Sequence, residues 1–221
     1  MGGFSGKLTD FDAVFNRKHT TGAKAAIIRE KGVNGDREMA YSLFLAGFDV
    51  KDIHMTDLIS GREDLSDVNM VVFVGGFSNS DVLGSAKGWA GAFLYNPKAK
   101  SALDNFYARE DTLSLGVCNG CQLMMELGLI SAQGELQPMG HNESGKFESG
   151  YLTLNVEPNN SVMLKTLVGS KLGIWVAHGE GKFNLSGNED DYCIALKYSG
   201  HQYPANPNGS NYHAAGLASE D

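Results

Sequence analysis

The chain has 221 residues, an ordinary apolar content and a formal net charge of −8. This length predicts one large domain, or one domain with an arm, with enough apolar side chains for a full core. The acidic balance and the lack of a long basic run argue against a nucleic-acid-binding surface, and no apolar stretch approaches the roughly 20 residues that a membrane-spanning helix needs.

The first residues and the cysteines indicate the compartment. The first six residues lack the apolar segment of a signal peptide. The three cysteines, Cys118, Cys121 and Cys193, cannot form an even disulfide framework. We therefore expect a cytoplasmic protein with reduced thiols.

The N-terminal 23 residues are mostly polar, and we interpret them as an arm or linker from an upstream domain. Apolar residues recur at helical spacing between Leu8 and Phe15, which favours a short docking helix. The main domain is predicted to cover residues 24–221.

Short apolar strands alternate with amphipathic helices in the first half of this domain. Predicted strands cover residues 24–29, 48–54, 68–74 and 111–115, and predicted helices cover 36–46, 85–94, 98–109 and 122–127. This order predicts a three-layer α/β fold, with a mostly parallel sheet, right-handed crossovers and helices on both faces. In the C-terminal half, strand-like segments at 151–156, 172–177 and 192–198 predict added strands and loops around the site.

The stretch Gly116-Val117-Cys118-Asn119-Gly120 is the most informative motif of the chain. A lone cysteine between glycines, where a predicted strand turns into a predicted helix, is typical of a nucleophile elbow with sulfur as the nucleophile. The helix N-terminus beside it favours the thiolate, so we expect a lowered pKa for Cys118. A buried structural cysteine in a glycine-rich turn is the alternative.

A glycine pair, Gly75-Gly76, follows the third predicted strand. Because the carboxyl ends of parallel strands meet at one sheet edge, N–H groups around Gly76 and Phe77 are expected to face the sulfur. The N–H of Asn119 would be the second donor of this oxyanion hole. A simple strand-ending turn is the alternative, and a phosphate-binding loop is a weaker one because the required lysine is missing.

Two further patterns leave alternatives open. Cys118 and Cys121 fit Cys-x-x-Cys, the pattern of a redox pair or of half a zinc site, but no second cysteine pair completes a metal site, and no metal is predicted. Among the six histidines, His178 has the best position for a general base, since it follows a predicted strand and is itself followed directly by Gly179. A polar residue at a strand end is the alternative for His178.

These motifs together resemble class I (triad-type) glutamine amidotransferases, which have a flavodoxin-like fold. The chain is most similar to those members that form the C-terminal glutaminase domain of a large single-chain synthetase acting on formylglycinamide ribonucleotide. The similarity runs from about Lys24 to the last residue. It rests on residues 26–40, 74–78, 81–89, 116–122, 141–148, 175–181 and 206–210.

The resemblance implies a role for each site residue. Cys118 would attack the side-chain amide of glutamine and form a thioester. Backbone groups of Gly76, Phe77 and Asn119 would hold the oxyanion. Glutamine would be bound by Gly75, Gln122, His178, Gly179 and Glu180.

The resemblance also implies partners. The domain would need no cofactor of its own. Its ammonia would pass to an upstream synthetase domain of the same polypeptide, which would bind ATP and Mg and act in purine biosynthesis.

One part of the family pattern is absent from the sequence. In this family a His-Pro-Glu segment supplies the general base and its glutamate partner, and the sequence contains no His-Pro-Glu. We therefore expect both partners beyond Asp221, and the chain alone to be nearly inactive as a glutaminase. A free-standing cysteine hydrolase and a catalytically silent docking module are the alternative functions.

Overall fold

The computed structural model describes Arg17 and residues 19–219. The docking helix predicted between Leu8 and Phe15 lies outside the described residues. The described part forms two compact units, which divide between Leu123 and Met124.

The first unit contains a parallel four-stranded sheet in the order β2-β1-β3-β4. Its strands are β1 (Lys24–Arg29), β2 (Asp49–His54), β3 (Met70–Phe73) and β4 (Leu113–Gly116). The helices are α1 (Asp36–Leu45), α2 (Met55–Ser60), α3 (Lys87–Leu94), α4 (Pro97–Tyr107) and α5 (Asn119–Leu127), the last of which continues into the second unit.

Helices cover both faces of this sheet. On one face, Leu43 of α1 packs in a buried cluster with Ala25 and Val72. Consecutive strand residues point to opposite faces, so Phe73 lies on the other face, where its ring meets Trp89 of α3 edge-on at 6.0 Å. The predicted three-layer α/β fold is confirmed.

Part of the predicted arm contacts the first unit. The guanidinium of Arg17 donates to the carbonyls of Gly47 and Phe48 and forms an ion pair with Asp49 at 3.0 Å. The role of residues 1–23 as a linker stays a prediction.

The second unit contains an antiparallel four-stranded sheet in the order β6-β5-β7-β8. Its strands are β5 (Glu148–Val156), β6 (Lys171–His178), β7 (Ile194–Tyr198) and β8 (Ala214–Leu217). The strands predicted for the C-terminal half are therefore present, but they pair with one another in a sheet of their own. The sequence did not predict β8 or the short helix α2.

Within the described residues, no helix combines the length and apolar character that crossing a membrane requires.

Candidate active site

The predicted nucleophile elbow lies between the end of β4 and the start of α5. Cys118 joins these elements with a φ of 53°, in the left-handed region that strains a residue with a side chain. A Cβ at Gly120 would lie only 1.9 Å from the carbonyl oxygen of Phe73 in β3. The sharp turn is therefore set by the close approach of α5 to the neighbouring strand.

The glycine loop starts from the same edge of the sheet as the elbow. Phe73 and Gly116 are partners in the register of β3 and β4, and each strand ends at this pair. A Cβ at Gly75 would lie 3.4 Å from the Cβ of Cys118. The structure thus places the loop directly against Cys118, as the sequence predicted.

The main-chain groups of residues 75–79 alternate between two sides, and a 3-10 turn (Ser78–Asp81) begins within this loop. On one side, three hydrogen bonds join the loop to residues 31–34. They are Asn34 N–H to Gly75 O (2.8 Å), Phe77 N–H to Gly32 O (2.9 Å) and Asn79 N–H to Lys31 O (2.8 Å). The N–H groups of Gly76 and Ser78 point to the other side, toward the elbow.

Opposing effects act on the thiol of Cys118. Burial raises the pKa of Cys118 above its ordinary value, while hydrogen bonds from the N–H groups of Gly76 and Asn119 lower it and the charge of Asp81 raises it further. Burial is the largest of these effects. The prediction of a lowered pKa is therefore wrong for this structure, because desolvation of the thiolate outweighs the two donors.

The structure differs from the prediction at Phe77. Its N–H donates to Gly32 and points away from the sulfur, so the two donors at Cys118 belong to Gly76 and Asn119. The N–H groups of these two adjacent residues point to opposite sides of the loop, so only that of Gly76 faces the sulfur.

Two buried carboxamides lie behind the elbow. Asn119 is fully buried, and its Oδ1 accepts a hydrogen bond from the N–H of Ser78 at 3.1 Å. Its Nδ2 donates to Oε1 of Gln122 at 2.9 Å, and Gln122 is itself buried. The sequence identified both residues, but not the contact between their side chains. Binding of glutamine by Gln122 stays a prediction.

The second cysteine of the motif, Cys121, differs from Cys118. Burial, with the nearby Cys118 as a smaller cause, raises the pKa of Cys121 to about 12. Its thiol therefore keeps its proton near neutral pH. No group of three or more His, Cys, Asp or Glu side chains in the described part of the chain is arranged to hold a metal ion.

The other predicted site residues, His178, Gly179 and Glu180, lie at the end of β6 in the second unit. The side chain of Asn142 holds this turn, because its Nδ2 donates to the carbonyl of His178 at 2.7 Å and its Oδ1 accepts from the N–H of Gly181 at 3.0 Å. The main-chain N–H of Asn142 also donates to the carbonyl of Gly179 at 2.9 Å. Asn142 is thus a site-shaping residue to which sequence reasoning assigned no role.

The ring of His178 folds back over the turn. A Cβ at Gly181 would lie 2.1 Å from Cε1 of that ring. The Nδ1 atom of His178 is buried and has no hydrogen-bond partner among the described residues. Burial lowers the pKa of His178.

A second group of buried polar residues supports the same unit. Asn206 Oδ1 accepts from the N–H of Ser210 at 3.3 Å, and Ser210 Oγ accepts from the N–H of Phe183 at 3.1 Å. Asn208 Nδ2 donates to the hydroxyl of Tyr198 at 2.7 Å. The run Asn206-Pro207-Asn208-Gly209-Ser210 is the sequence signal for this cluster, although no role was assigned to it.

Comparisons with known proteins indicate the family of the chain. The model of the CobB/CobQ-like glutamine amidotransferase domain matches residues 22–221. A phosphoribosylformylglycinamidine synthase from Dictyostelium discoideum is 42% identical in an alignment 215 residues long, which covers 90% of this chain and 16% of that protein. The human protein of the same name is 43% identical in an alignment 225 residues long, which covers 90% of this chain and 17% of that protein.

A solved structure supports the same relationship. The structure of PurLQS from Thermotoga maritima aligns with a TM-score of 0.71 and 27% identity, over 90% of this chain and 82% of that chain. The chain spans about a sixth of the length of the curated relatives it matches. Because the family model covers nearly all of its residues, the chain belongs to the family of CobB/CobQ-like glutamine amidotransferase domains.

Proposed function

We propose that this domain hydrolyses glutamine as the glutaminase part of a phosphoribosylformylglycinamidine synthase, the name its relatives carry. The observation that carries the proposal is the strained turn at Cys118, with the N–H groups of Gly76 and Asn119 at its sulfur. The ammonia would serve the ATP-dependent amination of formylglycinamide ribonucleotide in purine biosynthesis.

The proposed reaction proceeds through a thioester. The thiolate of Cys118 attacks the side-chain carbonyl carbon of glutamine, a C–S bond forms, and the carbonyl π electrons move to oxygen. The N–H groups of Gly76 and Asn119 stabilise that oxyanion. Collapse of the intermediate, with protonation of its nitrogen, releases ammonia, and water then hydrolyses the thioester to glutamate and free thiol.

The raised pKa of Cys118 makes a general base necessary, because little thiolate is present at neutral pH. In the described part of the first unit, the histidines are His19 and His54. His54 ends β2, three strand spacings from β4 in the sheet order, which is about 14 Å. His19 lies against Gly47, near the opposite ends of the strands. We infer that the base comes from outside the first unit.

Gly75 and Gln122 are proposed to bind glutamine, as is the backbone of His178, Gly179 and Glu180. The domain would need no cofactor. The rest of a longer polypeptide would supply the synthetase partner with its ATP and Mg, in a cytoplasmic enzyme with reduced cysteines.

The identity of the nucleophile is tested with an electrophilic glutamine analogue. The analogue should label Cys118 ahead of Cys121 and Cys193, because Cys118 has two N–H donors at its sulfur whereas Cys121 holds its proton. Peptide mass spectrometry after limited reaction measures the order. Protection of Cys118 by free glutamine is the control for binding, and equal labelling of the three thiols in the native chain would contradict the proposal.

The source of the base is tested by ammonia release. We compare this chain, its His178→Ala variant, and a version extended through the family's last strand and His-Pro-Glu segment. The extended version should turn over at least about 10³-fold faster, since loss of a triad base removes most of the rate. If the shorter chain is equally fast and His178→Ala abolishes its activity, His178 is the base instead.

A further inference from the structure

The loop 75–79 presents two N–H groups to the elbow, and they have different partners. The N–H of Gly76 donates to the sulfur of Cys118, and the N–H of Ser78 donates to Oδ1 of Asn119. The two donors are separated by one residue in the chain. A displacement of Ser78 is therefore transmitted to Gly76 through only two rigid peptide planes.

The orientation of Asn119 follows from the chemistry of its partners. The main-chain N–H of Ser78 can only donate, so the Asn119 atom facing it must be the oxygen. The amide nitrogen of Asn119 then faces Gln122, and the atom of Gln122 that receives its hydrogen bond must also be oxygen. One backbone group thus fixes the direction of two side chains.

Burial makes the contact between Asn119 and Ser78 hard to replace. Asn119 is 0% exposed and Ser78 is 1% exposed. Removal of the carboxamide would leave the N–H of Ser78 buried without its acceptor, and water does not reach it readily from outside. The loop would then be free to move until that N–H finds a new partner.

The opposite side of the loop is already fixed. Three main-chain hydrogen bonds join it to residues 31–34, and Gly76, with a φ of 118°, packs so closely there that a Cβ would lie 2.6 Å from Cα of Val33. These bonds hold the loop on the side that faces away from the elbow. On the elbow side, the loop is held by the hydrogen bond from the Ser78 N–H to the Asn119 side chain.

We propose that the carboxamide of Asn119 is a positioning group, which holds Ser78 and thereby sets the Gly76 N–H at the sulfur of Cys118. Asn119 then has two tasks: its main-chain N–H is one donor of the oxyanion hole, and its side chain places the other. The catalytic purpose of this role rests on the proposed function. The geometry it describes can be tested without any substrate.

The test compares the parent chain with Asn119→Ala, Asn119→Asp and a control, Asn96→Ala. The control removes the same kind of acceptor in the same unit, since Oδ1 of Asn96 accepts from the N–H groups of Lys98 and Ala99 at the start of α4. Two quantities are measured. The first is the pH midpoint of Cys118 alkylation by iodoacetamide, mapped by peptide mass spectrometry, and the second is amide hydrogen exchange at Ser78 by NMR.

Asn119→Ala should raise the alkylation midpoint of Cys118 by about one pH unit, a tenfold smaller thiolate fraction, because the Gly76 donor is no longer held in place. The Ser78 amide should exchange faster in this variant. In Asn119→Asp, which keeps an oxygen at Ser78, exchange should stay slow. Asn96→Ala should leave both quantities unchanged.

An unchanged midpoint in Asn119→Ala overturns the proposal, whether or not Ser78 exchange accelerates. If the alanine variant does not fold, Asn119→Asp decides: rapid exchange at Ser78 overturns the proposal, and slow exchange supports it. Neither readout requires turnover. If the version extended through the His-Pro-Glu segment fails to hydrolyse glutamine while the expected midpoint shift is seen, the proposed function is contradicted and the positioning role stays intact.

Discussion

The two units hold their candidate site residues in place by different means. In the first unit, β1 and β3 are almost completely buried, and the loop and the elbow emerge from paired strand ends at short backbone distances. In the second, alternate residues of the antiparallel sheet are exposed, among them Tyr151 and Trp175, and the turn after β6 is held by the side chain of Asn142. In the first unit the paired strand ends bring the loop and the elbow together and the Asn119 side chain adds one contact, whereas the turn after β6 is held mainly by the side chain of Asn142.

Substitution of Gly120 in the first unit is expected to cause the largest loss in the free energy of unfolding. In Gly120→Ala the new methyl group would overlap the main-chain oxygen of Phe73, so α5 must move away from β3. We expect the free energy of unfolding to fall by about 3 kcal/mol or more, measured by urea denaturation.

Gly91→Ala is the matched control for this substitution. Gly91 lies within α3, and the nearest atom to a new Cβ there is 3.7 Å away on the Tyr95 ring. Alanine should stabilise the helix by about 0.5–1 kcal/mol. Equal losses at both glycines would show that close backbone approach does not decide the stability of the elbow.

The second unit should be sensitive to the loss of an amide rather than to added volume. Asn142→Ala removes hydrogen bonds to the carbonyls of Lys146 and His178 and from the N–H of Gly181. Because these groups are buried or half-buried, we expect a loss of about 2–3 kcal/mol in the free energy of unfolding, measured by urea denaturation. The exposed Asn160→Ala should cost less than about 0.5 kcal/mol, and a similar loss at both positions would contradict the role of Asn142.

Protonation of His178 is expected to change the free energy of unfolding by less than the substitutions of Gly120 and Asn142. Burial lowers the pKa of this histidine in the folded chain, so the unfolded chain binds the proton more readily. This histidine therefore does not lower the free energy of unfolding above the ordinary histidine pKa, near 6.5, but does so as the pH falls below that value. His178→Gln should make the fall in unfolding free energy between pH 7 and pH 5 shallower, by at most about 1.4 kcal/mol per pH unit.

Urea denaturation at a series of pH values measures that slope. His141→Gln, at a side chain that is 85% exposed, is the control for the substitution itself. If His178→Gln keeps the slope of the parent chain, protonation of His178 does not oppose folding.

The sequence predicted those parts of the fold that depend on apolar patterns. The strand Lys24–Arg29 has the predicted bounds, and the elbow at Cys118 lies where the strand and helix patterns meet. Helix α2 was not predicted because six residues give too little periodicity, and its start depends on the ring of His54 accepting from the N–H of Thr56. Strand β8 was not predicted because Ala214–Leu217 has few residues that favour strands.

The finer parts of the site depend on burial, which residue type does not reveal. Asn119 and Asn142 are polar residues that are rarely buried, so nothing in the sequence indicated their contacts. The choice between Gly76 and Phe77 depends on which way each N–H points in the folded loop. The direction of the Cys118 pKa depends on how far desolvation outweighs two hydrogen bonds, which only the folded structure determines.

The burial of Cys121 has a consequence for oxidative damage. An oxidised sulfur at Cys118 can be restored by a neighbouring thiolate, which forms a disulfide that cellular reductants then open. Cys121 is three residues away, but its pKa of about 12 leaves almost no thiolate at neutral pH. A sulfenic acid at Cys118 would therefore have no resolving partner at this position, and its recovery would depend on small thiols diffusing in from solution.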